Sequence, residues 1–287
     1  MIVLDHVSFT YREGEPDAVP ALRDLDLTIE PGQFVAVIGH NGSGKSTLVK
    51  LLTAVLYPPT EGEVRIEGIP VRHETRWEIR RRVSVVFQDP DDQLVMNRVG
   101  DDVAFGPENL GLPREEIAER VDFALGAMGL GELAERMLDD LSLGQKQRVA
   151  IAGALAMRPR FLILDEPTSL LPVAAAMSLI RVARDLNRRE AMGVIHITHS
   201  MVEAALFDRV IVLDEGRMVL DGSPAEVFRH VDRLREIGLD VPLAASLAHR
   251  LRARGLPLEG DILTETDLRE AIAALPRPMT VKKERPG

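Results

Sequence analysis

Short apolar runs rich in β-branched residues alternate along the chain with longer segments of helical periodicity. Six runs predict strands: Phe34–Ile38, Val83–Phe87, Phe161–Leu164, Val194–Thr198, Val210–Leu213 and Met218–Leu220. The spacing i, i+3, i+4, i+7 of one apolar helix face is shown by Leu48, Leu51, Leu52 and Val55. This spacing predicts a helix that begins near Ser46. Alternating strands and helices favour an α/β fold with a central sheet.

The remaining segments differ from this core pattern. Turns marked by Gly and Pro in the first hundred residues indicate an antiparallel β element that flanks the core. Between residues 89 and 158 helical periodicity replaces the β-branched runs, which predicts a helical subdomain. Three helical patterns after Pro224 predict a small C-terminal module. We therefore expect a core domain over residues 1–224 and a module over 225–287 with a frayed tail.

Composition limits the function classes. The 287 residues carry a net charge of −10, which argues against a protein that coats nucleic acid, because phosphate binding requires a basic surface. The chain has no cysteine, which excludes disulfides, thiolate zinc sites and thiol nucleophiles. Its start lacks the pattern of a secretory signal, and no run approaches the ~20 apolar residues of a membrane helix. We expect a soluble intracellular protein.

A glycine-rich loop carries the strongest chemical signal. The sequence Gly39-His40-Asn41-Gly42-Ser43-Gly44-Lys45-Ser46 fits the phosphate-binding pattern G-x-x-x-x-G-K-[ST], with a strand before it and a helix after it. The glycines allow backbone N–H groups to surround phosphate oxygens. Lys45 would hold the β- and γ-phosphates, and the Ser46 hydroxyl would hold Mg²⁺. We count Thr47 with the same nucleotide site.

Two adjacent carboxylates follow a predicted strand. Asp165 and Glu166 come directly after Phe161–Leu164. Alone, such a pair usually marks a turn. Beside a phosphate loop, Asp165 would hold Mg²⁺ through a water, and Glu166 would polarise the attacking water.

A third motif makes a family recognisable. Leu141-Ser142-Leu143-Gly144-Gln145 stands about twenty residues before Asp165. Together with the two motifs above it resembles the ATP-binding cassette (ABC) family, whose signature reads LSGGQ. The resemblance implies a P-loop, RecA-like α/β layer with an antiparallel β element and a helical subdomain. It also assigns Gln88 to the Q-loop, where it would contribute to Mg²⁺ binding and catalysis, His199 to the catalytic switch and Tyr11 to adenine stacking.

Further segments resemble one branch of that family. Residues 87–93, 103–111 and 144–153 are similar to the ATPase subunits of energy-coupling factor (ECF) transporters, as is the C-terminal run near residues 227–242. Those complexes import vitamins and transition-metal ions. The resemblance implies an ATPase on the cytoplasmic side of the membrane, bound peripherally to a transmembrane coupling subunit and a substrate-binding membrane subunit. The sequence does not name the transported substrate.

The same resemblance implies that the nucleotide site is completed in trans. Two cassettes close head to tail, so each ATP lies between the phosphate loop of one and the signature of the other. Ser142, Gly144 and Gln145 would contact the partner's nucleotide. The partner is either a second copy or a paralogue, and the sequence leaves both open.

Two departures from the family pattern lie on elements that serve the partner's site. Leu143 replaces the first glycine of the signature, and Ser169-Leu170-Leu171-Pro172 lacks the aspartate usual in the D-loop. If position 143 requires positive φ, the strain would be about 1–3 kcal/mol. We hypothesise a competent binder of Mg-ATP with a weakened trans surface. The alternative is that the remaining signature residues suffice.

Two other functions remain open at this stage. The chain could be an ATP-binding scaffold that hydrolyses little, or a soluble ABC ATPase of DNA repair or translation. The second usually has a long coiled coil or two cassettes, which 287 residues do not accommodate. A basic cluster surrounds Trp77, but the overall charge favours a solvated helix face over a nucleic-acid partner.

Overall fold

The computed structural model describes residues 1–275, so the predicted frayed tail lies outside the described residues. Within that range the strands are β1 Ile2–Tyr11, β2 Val19–Ile29, β3 Phe34–Ile38, β4 Glu61–Ile66, β5 Ile69–Pro70, β6 Val83–Val86, β7 Phe161–Asp165, β8 Gly193–Ile197, β9 Arg209–Asp214 and β10 Arg217–Gly222. The α-helices are α1 Lys45–Leu52, α2 Arg76–Arg80, α3 Val99–Asn109, α4 Arg114–Met128, α5 Leu143–Ala156, α6 Val173–Glu190, α7 Met201–Ala204, α8 Pro224–Phe228, α9 Val231–Glu236, α10 Leu243–Ala253 and α11 Glu265–Ala273.

A central sheet has the strand order β10-β9-β3-β8-β7-β6. All its neighbours pair in parallel except β10, which runs antiparallel to β9 at one edge. Every residue of β3 is buried, as expected for a strand covered on both faces. The predicted α/β class is confirmed, and all six predicted strands are found with ends shifted by at most two residues.

A second, antiparallel sheet has the order β2-β1-β4-β5 and confirms the predicted flanking β element. Helix α1 lies between the two sheets, where Leu48, Leu51 and Leu52 pack against both. The prediction that Val55 belongs to this helix face is wrong. The helix ends at Leu52, Ala54 turns the chain with φ +49°, and Val55 is 53% exposed.

Helices α3, α4 and α5 pack against one another in the segment where β-branched runs are absent. Their apolar residues share one core cluster with the face of β3 opposite to α1. Helix α5 begins at the signature segment, and its other end at Ala156 is followed by β7, the strand that carries Asp165.

The C-terminal region contains four helices within the described residues, not the three patterns predicted. The first pattern is split because His230, with ψ +51°, interrupts it between α8 and α9. Val227 and Phe228 of α8 join the main core cluster, whereas Ala244 and Ala248 of α10 belong to a small cluster of their own. No helix within residues 1–275 combines the length and apolar character needed to cross a lipid bilayer.

Candidate nucleotide site

The glycine-rich loop joins β3 to α1 and is shaped by backbone that only glycine tolerates. Gly44 precedes α1 with φ +106°. A Cβ on Gly44 would lie 2.7 Å from Ala21 O and 2.8 Å from Leu22 Cδ2. A side chain here would meet both strain and a backbone clash. The predicted loop therefore forms where the sequence pattern places it.

Lys45 is held inside this loop. Its side chain is 6% exposed, and Nζ donates hydrogen bonds to Gly39 O at 2.7 Å and His40 O at 2.9 Å. Burial lowers the pKa of Lys45, while the charges of Glu166 and Asp165 oppose that shift. The ammonium group is thus bound to the loop backbone and is close enough to the two predicted carboxylates for their charges to act on it.

One buried atom of the loop indicates its ligand. Ser43 Oγ is buried and has no hydrogen-bond partner within the described residues. A buried polar group without a partner is costly, and a phosphate oxygen in the loop would satisfy it. The residues present therefore fit a phosphate group. Asn41, Gly42 and Ser46 are exposed on the open side of the loop.

Two residues that are distant from the loop in the sequence contact it or the start of α1. Tyr11, at the end of β1, lies with its hydroxyl 3.2 Å from Thr47 Oγ1. His40 Nε2 lies 2.7 Å from Asp214 Oδ1 at the end of β9. The first contact brings the predicted adenine-stacking residue to the site. The second was not foreseen, because the sequence gives no sign that β9 and β3 are neighbours.

The two predicted carboxylates lie at the carboxyl end of β7. Glu166 adopts φ +52°, and its N–H donates to Ile197 O at 3.0 Å. A non-glycine residue in this region stores about 1–3 kcal/mol of strain, so the surrounding contacts must hold it. The carboxylate is aimed at the predicted switch residue, since Glu166 Oε1 lies 2.6 Å from His199 Nε2.

The surroundings of Asp165 suit a cation. Burial, and then the charge of Glu166, raise the pKa of Asp165, while Lys45 opposes the shift. A divalent cation would offset the repulsion between the two carboxylates. Oxygen atoms are the ligands that Mg²⁺ prefers, so the Asp165 carboxylate and the Ser46 hydroxyl have the chemistry that this ion requires.

Gln88 lies near this edge of the sheet. Strand β6 ends at Val86, opposite Leu164 of β7, and Gln88 follows two residues later as an exposed residue. The predicted strand to Phe87 is therefore slightly too long. Within residues 1–275 no hydrogen bond links Gln88 to Asp165 or Ser46, and its assigned role stays a prediction.

The signature segment begins α5, whose first residue is Leu143. Ser142 caps it: Ser142 Oγ accepts from Gln145 N at 3.4 Å, and Gln145 Oε1 accepts from Ser142 N at 2.9 Å. Leu143 is not among the described residues with positive φ and is 37% exposed. The condition for backbone strain at Leu143 is therefore not met. The side chain of Leu143 still occupies space that a glycine would leave open to a phosphate.

The two sequence departures are neighbours in space. A Cβ on Gly144 would lie 3.9 Å from Leu171 Cδ2. A cavity of about 360 Å³ joins the two segments and is lined by Ser142, Gly144, Gln145, Arg148, Leu171, Ala175 and Leu179. No hydrogen bond within residues 1–275 connects Ser142–Gln145 to the glycine-rich loop, and the trans role of these residues stays a prediction.

The sequence analysis does not predict a buried polar cluster that joins the segments after β7 and β8. Glu203, 6% exposed, accepts hydrogen bonds from Thr168, Thr198 and His196. Only the position of Thr198 directly before His199 could have drawn attention to it.

Comparison with known proteins agrees with the motifs. The family model described as ABC transporter matches residues 22–169. The chain is 49% identical over 273 residues to the energy-coupling factor transporter ATP-binding protein EcfA1 of Caldanaerobacter subterraneus subsp. tengcongensis, covering 95% of this chain and 98% of that protein. It is 44% identical over 275 residues to EcfA2 of the same organism, covering 94% and 96%.

Solved structures resemble the fold. The structure of cbiO1 from Clostridium perfringens, part of the ABC transporter complex cbiONQ, has a TM-score of 0.75 at 35% identity and covers 86% of this chain and 98% of its own. The dimeric post-hydrolysis state of the ATP-binding cassette MJ0796, bound to ADP and Pi, has a TM-score of 0.69 at 31% identity, with 78% and 99% covered.

Proposed function

This chain belongs to the ABC transporter family, and we propose that it is the ATP-binding and ATP-hydrolysing subunit of an ECF importer. Its similarity to EcfA1 and EcfA2 extends over nearly the full length of both, with the higher identity to EcfA1. The observation that carries the hydrolytic role is the 2.6 Å contact between Glu166 Oε1 and His199 Nε2, beside the buried Lys45. Within the family, this full-length similarity favours transport over DNA repair or translation.

The chain's own residues divide the chemistry. The backbone of Gly39–Gly44 and the Lys45 ammonium bind and orient the phosphates, and the N-terminus of α1 adds partial positive charge. Tyr11 is placed to stack on the base. Glu166 accepts the proton of the attacking water, and His199 Nε2 fixes the orientation of that carboxylate.

Mg²⁺ would be held by Ser46, by Asp165 through a water and by Gln88, and would neutralise charge that develops on the phosphates. The position of Asp165 at the carboxyl end of β7, directly before Glu166, supports this assignment.

The trans contact comes from Ser142, Gly144 and Gln145 of a second cassette. Their place at the N-terminus of a capped fourteen-residue helix suits an anion. The dimeric cassette MJ0796 supports a second ATPase partner. That partner is a paralogue or a second copy, and the exposed Leu143 makes a paralogue with an intact signature the better complement.

The membrane partner docks on a groove beside Trp77 of α2. Trp77 is 63% exposed between Arg76 and Arg80, whose guanidinium groups lie 5.5 and 5.6 Å from its ring centroid. A cavity of about 460 Å³ extends from it to Phe105 and Leu110 of the helical subdomain. An exposed aromatic ring beside an apolar groove is typical of an interface. We assign this groove to the transmembrane coupling subunit.

The remaining assignments follow the same family. The chain lies peripherally on the cytoplasmic side of the membrane, and a separate membrane subunit selects a vitamin or a transition-metal ion. Residues 1–224 form the nucleotide-binding domain, with the helical subdomain at about 89–158, and residues 225–287 form the C-terminal module.

The test is Mg-ATP turnover by the chain alone and with its paralogous partner. Glu166→Gln should reduce kcat about 10²–10⁴-fold and leave ATP affinity unchanged, because the amide cannot accept the proton. Glu190→Gln, an exposed residue at the end of α6, is the matched control. Wild-type turnover in Glu166→Gln would refute the assignment.

A second candidate is an ATP-binding scaffold that hydrolyses little. The side-chain bulk at Leu143 and the missing D-loop aspartate favour it. Tight ATP binding with negligible turnover, both alone and with the paralogue, would support the scaffold over the ATPase.

A further inference from the structure

One buried carboxylate is used by no step of the proposed mechanism. Glu203 lies on α7 and is 6% exposed. One of its two oxygens, Oε2, accepts three hydrogen bonds, from His196 Nε2 at 2.8 Å, Thr168 Oγ1 at 2.9 Å and Thr198 Oγ1 at 3.0 Å. Burial of a charged carboxylate costs free energy unless hydrogen bonds compensate, and the three donors on Oε2 supply that compensation.

The two hydroxyl donors come from the two segments that carry the catalytic pair. Thr168 follows Glu166 by two residues, after the end of β7. Thr198 directly precedes His199, after the end of β8. Glu203 thus contacts both segments, and the two segments also contact each other through Glu166 and His199.

The groups around Glu203, the anchor of these two segments, keep its carboxylate charged. Burial alone would raise the pKa of Glu203, but hydrogen bonds from His196, Thr168 and Thr198 outweigh it and hold the pKa below its ordinary value. His196 is fully buried and its Nδ1 has no hydrogen-bond partner within the described residues. An N–H group on Nε2 therefore faces the carboxylate. The ring of His196 stacks on Phe207 with a centroid distance of 5.0 Å, which restricts its motion.

The anchor also reaches the D-loop. The backbone oxygen of Thr168 accepts from Leu171 N at 2.9 Å, and Ser169 Oγ donates to Glu166 O at 2.9 Å. Leu171 borders Gly144 of the signature. A continuous set of contacts therefore runs from His199 through Glu203 and Thr168 to the trans surface.

We propose that Glu203 is a positioning residue for ATP hydrolysis, which holds the segments of Glu166 and His199 in contact through Thr198 and Thr168. By the same bonds it ties this chain's own hydrolytic pair to the loop that faces the partner cassette. The proposal rests on the function assigned above to Glu166 and His199.

Threonine-to-valine changes test it, because valine keeps the shape and removes only the hydroxyl. Thr198→Val and Thr168→Val each remove one donor to Glu203. The matched control is Thr53→Val, since Thr53 is 5% exposed and its Oγ1 donates to Val49 O at 2.8 Å, outside the cluster. Glu203→Gln keeps an acceptor oxygen without the charge, and Glu203→Ala removes the anchor.

Turnover is measured on the complex with the paralogous cassette, together with ATP affinity and thermal stability. Each cluster threonine variant should lower kcat about tenfold with KM within a factor of two, and Thr53→Val should leave kcat unchanged. In a His199→Ala background, Thr198→Val should have little further effect, because its influence passes through His199. Equal kcat for the cluster variants and the control, or a full additional loss in the His199→Ala background, would overturn the proposal.

Amide hydrogen exchange of the isolated chain gives a readout that needs no turnover. Glu203→Ala should speed exchange in residues 166–172 and 197–200 and leave α1 unchanged, and Glu203→Gln should have a smaller effect. Unchanged exchange in both segments would refute the anchor itself. Wild-type turnover in Glu166→Gln, with altered exchange in Glu203→Ala, would instead refute the assigned function while leaving the anchor standing.

Discussion

His199 Nε2 lies 2.6 Å from Oε1 of Glu166, and each residue follows the end of its own strand in a neighbouring parallel pair. Glu166 is additionally fixed at φ +52° by its N–H bond to Ile197 O. The ends of these two parallel strands therefore hold the two side chains in contact.

His199→Ala should lower kcat by about 10²–10⁴-fold while KM for ATP changes little. The imidazole orients the carboxylate and lies 42% exposed toward the site, so its loss affects the reaction more than binding. Steady-state kinetics of the complex with the paralogous cassette measure this. His249→Ala, on α10, serves as the control, and a rise in KM with unchanged kcat would contradict the assigned role.

Leu143→Ala and Leu143→Gly should both raise turnover at the nucleotide site that this signature faces, by several-fold. The backbone at Leu143 is helical, so only the bulk of its side chain can obstruct a phosphate. Alanine and glycine should therefore act alike, although glycine costs about 0.5–1 kcal/mol of helix stability.

Turnover of the complex with the paralogous cassette, and of the chain alone, checks this pair of variants. A gain with glycine but not with alanine would indicate a backbone effect after all. No gain with either would show that leucine is tolerated in the signature.

Asp165→Asn should raise the melting temperature at neutral pH and abolish Mg²⁺-dependent turnover. The pKa of Asp165 is raised in the folded protein, mainly by burial, so the folded state holds this proton more tightly than the unfolded state. Ionisation therefore costs stability, and the cost appears as pH rises from about 3.8 through the raised pKa. The stability cost of the ionised Asp165 is fully present at pH values above the raised pKa.

Thermal unfolding at several pH values, without nucleotide, measures this difference. The advantage of Asp165→Asn should vanish toward pH 3. Asp185→Asn, an exposed residue of α6, should show no comparable pH-dependent gain. A lower melting temperature for Asp165→Asn at pH 7 would mean that the carboxylate stabilises the empty site.

Gly44→Ala should destabilise the fold and weaken ATP binding. Its φ of +106° alone predicts about 1–3 kcal/mol of strain, and the approach of a Cβ to Ala21 O adds a clash. Gly14→Ala separates the two effects, because Gly14 has φ +82° in open space. Chemical denaturation should show a larger loss for Gly44→Ala, and equal losses would refute the clash.

The sequence determined the features that depend on adjacent residues. Phosphate binding uses consecutive backbone N–H groups, so the residues of the loop Gly39–Ser46 are adjacent in the sequence and could be identified directly. Buried parallel strands appear as continuous apolar runs, so all six predicted strands were found. Asp165, Glu166 and His199 were located because each stands at a strand end within an ordered set of motifs.

The tertiary structure decided what depends on which strands are neighbours. The contacts between His40 and Asp214, and between Glu203 and Thr168, join residues distant in the chain. No periodicity encodes such pairs, because they arise only when the sheet order brings strand ends together. The exposure of Val55 was also decided by the three-dimensional structure: apolar spacing continues past Leu52, but the helix ends there and Ala54 turns the chain with φ +49°.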